Sequence, residues 1–327
     1  MIFTTPVEMT SELPKLTQSD KLMLIGSCFA ENMGERLFCA KFNCVTNPYG
    51  VLYNPSSIAQ ALREILAGKV YTEADLFSFN NRWHSNMHHS HFSGDTAEEA
   101  LHLINDAVED AHRQLLGLDT LLLTFGTAWV YEQEGHIVGN CHKQPERCFT
   151  RRRLGVDEIT DDYRALFDQL LALRPALKVI LTVSPIRHTR DGMHANALSK
   201  STLLLAIDRL QALYPDHVYY FPAYELLLDE LRDYRFYAAD MKHPSDVAQA
   251  YVWQKFVESC FTPQAVEIAD VCETLQKAIH HRPSHPQSEE YKRFLEQIML
   301  KIDGLNRKYP YLDFQNEIEV CLTPLKP

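Results

Sequence analysis

The sequence lacks several features that would assign the protein to a particular class. None of its eight cysteines forms a Cys-x-x-Cys pair, and their spacing gives no disulfide framework. No stretch reaches the roughly 18 uninterrupted apolar residues that a membrane-spanning helix requires. The chain has one dense basic run, Arg151–Arg153, and a formal net charge of -11. Because phosphate binding requires a concentrated cationic surface, we expect no nucleic-acid partner. Because no apolar stretch is long enough to span a bilayer, we expect no membrane partner.

The amino terminus and the cysteines together indicate a compartment. Residues 1–20 contain no basic segment followed by an apolar core, which is the pattern of a secretion signal. Thiols scattered without a pairing pattern are typical of reducing compartments. We therefore expect a cytoplasmic protein with mostly reduced cysteines. We also expect the short run Arg151–Arg153 to be a solvated surface.

The stretch Leu22–Ala30 organises the rest of the chain. Its apolar run stops at a glycine and a serine, and a helical pattern follows in which Phe29, Met33 and Leu37 share one face. The pattern predicts a strand, a tight turn and a helix, with Ser27 at the junction. A serine there can cap the helix. It also suits a nucleophile, because open α/β sheets bind ligands at the carboxyl ends of their strands and a helix amino end favours an oxyanion.

Further apolar runs alternate with helical patterns along the chain. The predicted strands after the first are Phe42–Thr46, Asp119–Phe125, Lys178–Val183 and His217–Phe221. Five such strands predict a three-layer α/β/α fold with a largely parallel sheet and right-handed crossovers. We expect one domain over residues 1–262, with an insertion at about 71–95, and a helical appendage over 263–327.

The partners that a serine nucleophile needs occur more than two hundred residues later. A serine hydroxyl requires a base with a pKa near 7, and a carboxylate can orient and stabilise the imidazole that acts as the base. Asp240 and His243 lie three residues apart before another helical pattern. His188, which follows a predicted strand end, is the alternative base. Ser27, His243 and Asp240 are the predicted catalytic residues.

These segments resemble a known family. Gly26-Ser27-Cys28-Phe29-Ala30 is similar to the signature of the GSCFA family, a branch of the SGNH/GDSL hydrolases, and Asp240–Pro244 resembles the last block of that superfamily. The likeness covers most of residues 20 to 260 in order. It implies a flavodoxin-like strand order and a Ser-His-Asp hydrolase of carboxylic esters, with the base in the last block.

The resemblance also suggests donors for an oxyanion. Gly50 stands in a loop like the one whose glycine donates to the oxyanion in that superfamily, although a turn glycine is the simpler explanation. Gly126 aligns with the glycine of a third block, and this places Ala128 where the superfamily has asparagine. Thr127 or Asn140 can supply a hydrogen bond instead, but only Asn140 has an amide donor.

Polar residues after the predicted hairpin at 130–139 are further candidates. Cys141 and His142 are adjacent, and neighbours on an extended chain point to opposite faces, so they do not form a natural nucleophile–base pair. We predict that Asn140 and His142 contact the substrate or the oxyanion. The alternative for both residues is a structural hydrogen bond.

The insertion is rich in histidine and aromatic residues. Four histidines, His84, His88, His89 and His91, occur within eight residues, together with Trp83 and Phe92. The cluster His84–His91 suggests a transition-metal site, yet it contains no carboxylate or thiolate and matches no standard metal motif. We favour a polar lid or a substrate-facing loop.

We therefore predict an esterase-type hydrolase that needs no metal or organic cofactor and acts on small-molecule or carbohydrate esters. Two alternatives remain. One is a catalytically silent carbohydrate- or peptide-binding module on the same fold, because the oxyanion asparagine is missing and a fold does not determine function. The other is a metal-dependent hydrolase that uses the cluster His84–His91.

Overall fold

The computed structural model describes residues 4–10, 12–279 and 288–322. The strands are β1 (Lys21–Gly26), β2 (Asn43–Thr46), β3 (Leu76–Phe79), β4 (Arg82–Ser85), β5 (Thr120–Phe125), β6 (Trp129–Gln133), β7 (His136–Val138), β8 (Thr150–Arg153), β9 (Lys178–Val183) and β10 (Val218–Tyr220). The α-helices are α1 (Cys28–Cys39), α2 (Pro55–Ala67), α3 (Ala97–Leu115), α4 (Val156–Leu173), α5 (Met193–Leu213), α6 (Ala223–Glu225), α7 (Asp246–Cys260), α8 (Pro263–Ile279), α9 (Glu289–Lys308) and α10 (Gln315–Leu322).

The central sheet has five strands in the order β10-β9-β5-β1-β2. Strands β1 and β5 pair in parallel, as do β5 and β9 and also β9 and β10. Numbered along the chain, this order is 2-1-3-4-5, the flavodoxin-like doubly wound arrangement. The predicted fold class and all five predicted strands are confirmed.

Both faces of the sheet are buried, which explains why its strands are continuous apolar runs. On one face, Met23 and Ile25 of β1 join a core cluster with residues of α2, α3, α4 and α5. On the other face, Leu22 and Leu24 are 0% and 2% exposed. Successive side chains of a strand point to opposite sides, so a single strand fills both layers.

The inserted segments contain two small sheets. β3 and β4 form an antiparallel hairpin, so the predicted insertion at 71–95 has regular structure of its own. β6, β7 and β8 form a three-stranded sheet, which contains the predicted hairpin with its turn at Glu134 and Gly135. We expected Arg151–Arg153 to be a solvated surface. These residues belong to β8, in which Arg153 is exposed and Arg152 is 42% exposed, whereas Arg151 is only 23% exposed and is paired with Asp191.

The described residues fall into two compact units. The first comprises those of Met1–Pro14, Lys21–Gly34 and Cys44–Cys260, and the second those of Lys15–Asp20, Glu35–Asn43 and Phe261–Pro327. The boundary after residue 262 stays a prediction. Across the described ranges, no helix is long and apolar enough to cross a membrane.

The second unit has its own apolar core, formed by α8, α9 and α10. It also holds a buried ion pair between Lys41 and Glu317, at 2.6 Å, with side chains only 6% and 5% exposed. Gln276 donates to the second oxygen of Glu317 at 2.6 Å. Because both carboxylate oxygens have partners, the charge is tolerated in the interior.

Candidate active site

Three adjacent parallel strands end at the same edge of the sheet. β1 ends at Gly26, β5 at Phe125 and β9 at Val183, and polar residues follow each of them. Gly26 packs so closely on β5 that an added Cβ would lie 2.5 Å from the carbonyl oxygen of Thr124. A side chain at this position would therefore push the strand ends apart.

Ser27 lies between the end of β1 and the start of α1. Its carbonyl accepts from the Ala30 amide at 2.8 Å, and its Oγ accepts from the Phe29 amide at 3.3 Å. The residue is only 1% exposed. The hydroxyl thus caps α1, and the same position puts it beside the positive end of the helix.

Asp240 and His243 form a hydrogen-bonded pair in the loop before α7. Asp240 Oδ2 lies 2.5 Å from His243 Nδ1, and Asp240 Oδ1 accepts from the amides of Lys242 and His243 at 3.0 Å. The hydrogen bond from the His243 amide, followed by that from its imidazole, holds the pKa of Asp240 well below its usual range. Asp240 is therefore an ionised partner that fixes the imidazole ring with Nε2 on its other side.

The Asp240–His243 loop is exposed but tethered to the sheet edge. The side chains of His243 and Asp240 are 54% and 44% exposed. Arg187, which follows β9, donates to the Met241 carbonyl at 3.0 Å and packs over the Tyr237 ring at 4.6 Å. These contacts hold the loop against the segment that follows β9.

His188, the alternative base, lies on the same rim. Its amide donates to Asn196 Oδ1 at 2.9 Å, and its ring makes an edge contact with Tyr53 at 6.0 Å. Burial, then the nearby charges of Lys200 and His243, lowers the pKa of His188 to about 4. The imidazole is therefore neutral at pH 7 and a weaker base than an ordinary histidine.

The charge of Lys200 influences groups near Ser27 and near the base candidates. Lys200 contributes to the pKa of Cys28, which follows Ser27, and it also contributes to that of His188. His243 in turn contributes to the pKa of His188. Among the described residues, no hydrogen bond connects Ser27 Oγ with His243.

The predicted oxyanion donors have other partners. The Gly50 amide donates to the Asn47 carbonyl at 2.7 Å in a tight turn, and Gly50 has φ of 73°. An added Cβ there would lie 2.2 Å from His89 Cβ, so this turn requires glycine. The Thr127 hydroxyl lies 3.1 Å from Ser199 Oγ and accepts from the Trp129 amide at 3.1 Å. The Gly50 N–H would reach an oxyanion only if the turn opened.

Asn140 and His142 contact the insertion. Asn140 Oδ1 accepts from the His142 amide at 2.9 Å. The His142 ring is bonded at both nitrogens, to the Ser85 carbonyl at 2.7 Å and to Ser90 Oγ at 3.3 Å. Burial lowers the pKa of His142 to about 4. These contacts are structural hydrogen bonds, and contact of His142 with a substrate stays a prediction.

Two of the four histidines of the insertion, His84 and His88, are buried, whereas His91 is exposed. His88 stacks on Tyr49 at 4.2 Å, and His84 lies 4.5 Å from His142. Residues 4–10, 12–279 and 288–322 contain no group of three or more His, Cys, Asp or Glu side chains that could hold a metal ion. The metal-dependent alternative therefore finds no support in this part of the chain.

Helix α5 carries three polar residues that the sequence analysis did not single out. Asn196 binds the His188 amide, and Ser199 Oγ accepts from the Ala128 amide at 2.8 Å. Lys200 Nζ donates to the carbonyls of Gly126 and Ser184, each at 2.6 Å. Ser199 and Lys200 follow Asn196 by three and four residues, which puts the three side chains on one face of the helix. Polar residues at this spacing, at the start of an apolar stripe, are the sequence pattern that could have identified them.

Lys200 is a buried cation at the sheet edge. Its side chain is 1% exposed and connects the loops that follow β5 and β9. Burial lowers the pKa of Lys200 to about 7, and the Cys28 thiol opposes this shift. The residue therefore places a titratable positive charge near the amino end of α1.

Comparison with known proteins gives a family. A model described as the GSCFA family matches residues 21–256, and one described as the GSCFA domain protein, C-terminal domain, matches residues 272–327. No curated protein matches the chain.

Two solved structures are distantly similar. One, from Streptococcus pneumonia, is described provisionally as a platelet activating factor; it is 12% identical over 73% of this chain and 82% of its own, with a TM-score of 0.37. A carbohydrate esterase family 3 protein from Talaromyces cellulolyticus is 11% identical over 77% and 99%, with a TM-score of 0.35. Similarities this low carry no argument about function.

Proposed function

We propose, on the premise that this chain belongs to the GSCFA family, that it is a serine hydrolase that cleaves carboxylic esters through an acyl-enzyme. The observation that carries the proposal is the hydrogen-bonded pair of Asp240 and His243, on a loop that Arg187 ties to the segment after β9. Ser27 follows β1 and precedes α1 at the same edge of the sheet. This is the pairing of base and orienting carboxylate that a serine nucleophile needs.

The reaction has two stages. Ser27 Oγ attacks the acyl carbonyl while His243 Nε2 takes its proton, and Asp240 stabilises the resulting imidazolium. The tetrahedral intermediate then expels the alcohol, which receives that proton from His243. Water, deprotonated by the same imidazole, releases the acid and restores Ser27.

The oxyanion is stabilised by the amino end of α1 and by the charge on Lys200. The amides of Phe29 and Ala30 already bind Ser27, so the amino end of α1 acts on the oxyanion through its partial positive charge. Lys200 acts through the interior, where a charge is screened less than in water. Asn140 offers a side-chain amide, and Thr127 a hydroxyl, as a further donor.

Access to the nucleophile needs a local opening. Ser27 is 1% exposed, and its hydroxyl is engaged by the Phe29 amide. We therefore propose that small acyl groups, such as acetyl, are the preferred substrates, because they require the least displacement of neighbouring side chains. The alcohol is a small molecule or a carbohydrate.

A fluorophosphonate probe followed by peptide mapping tests the proposal. We expect covalent labelling of Ser27 and hydrolysis of aryl acetates, both lost in Ser27→Ala. Cys28→Ser is the matched control, because it changes the adjacent residue and keeps Ser27. Hydrolysis by Ser27→Ala at the parent rate would remove the nucleophile assignment.

A binding module without catalysis is the second candidate. It is favoured by two observations: the Ser27 hydroxyl is occupied as a helix cap, and alanine stands at position 128 in place of the superfamily's oxyanion asparagine. Absence of fluorophosphonate labelling in a protein that binds a saccharide or peptide would support this candidate over the esterase.

A further inference from the structure

The first unit contains a cavity that is separate from the proposed catalytic residues. Its volume is about 870 Å³, and it lies between α2, the β6–β7 hairpin, the inserted β3–β4 region and α4. None of Ser27, His188, Asp240 or His243 belongs to its lining. The size falls within the range of about 300–1,000 Å³ that is usual for ligand pockets.

The charges of the lining are already paired with one another. Arg152 binds Glu132 and Glu158, each at 2.7 Å, and Arg63 is bonded to Asp162. Both arginines are therefore committed to carboxylates and are poorly placed to take an anionic ligand. The lining has two arginines against four carboxylates: Glu132, Glu134, Glu158 and Asp162. This balance disfavours phosphate, sulfate and carboxylate groups.

A chain of side-chain amides crosses the cavity wall. Asn86 Nδ2 donates to Gln133 Oε1 at 3.2 Å, and Gln133 Nε2 reaches Gln144 Oε1 at 3.5 Å. In the described part of the chain, the acceptor Asn86 Oδ1 at one end and the donor Gln144 Nε2 at the other have no partner. Both residues line the cavity, and both unpartnered atoms are buried in its wall, so a ligand reaches them once the amides rotate about their broad terminal torsions.

Hydroxyl groups match these two ends. An alcohol oxygen both donates and accepts, so one polyol can satisfy an acceptor and a donor at the same time. Phe77 adds an aromatic surface beside the amides, supported from behind by the rings of His84 and His142 at 5.5 and 5.7 Å. A flat apolar ring next to planar amides suits a ligand with both a C–H face and hydroxyl edges.

A peptide fits this cavity less well. Peptides commonly bind by adding a strand to an exposed sheet edge. The sheet beside the cavity has two edge strands, β7 and β8. The last carbonyl of β7, that of Val138, already accepts from Ser57 Oγ on α2 at 3.3 Å, and Arg152 of β8 is paired with Glu132 and Glu158. We propose that the cavity binds a neutral mono- or oligosaccharide. The idea that the cavity holds the alcohol part of an ester rests on the proposed function. The idea that the cavity binds a saccharide does not.

Calorimetry and saturation-transfer NMR with cellotetraose, xylotetraose and maltotetraose test the inference. We expect at least one of these to bind the full chain and the Ser27→Ala protein equally, and tetragalacturonate to bind more weakly because of the carboxylates. Gln133→Leu and Phe77→Ala should each weaken binding by roughly tenfold, the loss expected for one good contact. Gln254→Leu and Phe149→Ala, which lie outside the lining, are the matched controls.

The outcomes separate this inference from the esterase proposal. Saccharide binding by a protein whose Ser27 is not labelled would contradict the esterase proposal and support the cavity assignment. Labelling and ester hydrolysis without binding of any neutral tetrasaccharide would do the reverse. Binding that is unchanged in Gln133→Leu and Phe77→Ala, or that favours tetragalacturonate, would also overturn the cavity assignment. If either variant fails to fold, Gln144→Leu takes its place.

Discussion

The sheet edge and the histidine-rich insertion use the same side chain in opposite ways. At the edge, the His243 imidazole is exposed and bonded to Asp240, whose own hydrogen bonds keep it ionised. In the insertion His88 is buried, as is His142, which binds the insertion through the Ser85 carbonyl, and burial lowers their pKa values to about 3 and about 4. An exposed imidazole with a carboxylate partner is suited to proton transfer, whereas a buried neutral imidazole contributes packing and hydrogen bonds.

Variants at the sheet edge and variants in the insertion should therefore affect different properties, the first activity and the second pH-dependent stability. Substitutions at the edge should reduce activity and leave stability nearly unchanged. Substitutions in the insertion should alter the dependence of stability on pH.

The largest expected effect is that of His243→Ala on turnover. Loss of the base should lower kcat for an aryl acetate by about 1,000-fold or more, which is typical for a triad member. His188→Ala should lower kcat by less than about tenfold, because a histidine whose pKa is about 4 is a weak base at pH 7. Steady-state kinetics with urea unfolding of both variants measures this contrast. The reverse ranking would transfer the role of base to His188.

The next effect is that of Lys200→Met. Removing the buried charge should lower kcat by about 10- to 100-fold with little change in KM, because a nearby positive charge stabilises the oxyanion that forms only in the transition state. The matched control is Lys178→Met, since Lys178 also donates to a carbonyl, that of Asp216, but lies at the start of β9 rather than beyond its end. Thermal unfolding checks that both variants fold. An unchanged kcat in folded Lys200→Met would limit Lys200 to a structural role.

The smallest effect is on pH-dependent stability. His88 has a folded pKa of about 3, below its unfolded value near 6.5, so between these values the unfolded chain binds a proton that the folded chain does not. Its contribution is fully present above pH 6.5 and is lost as the pH falls, by about 1.4 kcal/mol per pH unit. His88→Phe keeps a ring against Tyr49 and should reduce the slope of the unfolding free energy by close to that amount between about pH 5.5 and 4, and by less nearer pH 7.

Urea unfolding at several pH values measures the slope. His102→Phe is the control, because the imidazole of His102 on α3 is 75% exposed. A slope that is the same in His88→Phe as in the parent would show that this histidine is not the titrating group. The contrast between the two regions would then rest on His142.

Much of the fold was predictable because its signals are local. The stripe of Phe29, Met33 and Leu37 predicted α1, and these residues are 8%, 4% and 0% exposed. The pairing of Asp240 with His243 was likewise predictable, since three residues of separation allow a side-chain contact within one turn. Arg151 was misassigned because its partner Asp191 lies 40 residues away, and composition alone does not show a distant partner.

The amino-acid sequence by itself determined the order of strands and helices, the serine at the first strand end and the Asp–His pair, because each depends on neighbours a few residues apart. Only the tertiary structure decided that Lys200 bridges the carbonyls of Gly126 and Ser184 and that Gly50 gives its amide to a turn. It also decided that Asn86, Gln133 and Gln144 line one cavity. Such contacts depend on how helices and hairpins pack across the sheet, and packing brings together groups whose separation along the chain carries no periodic signal.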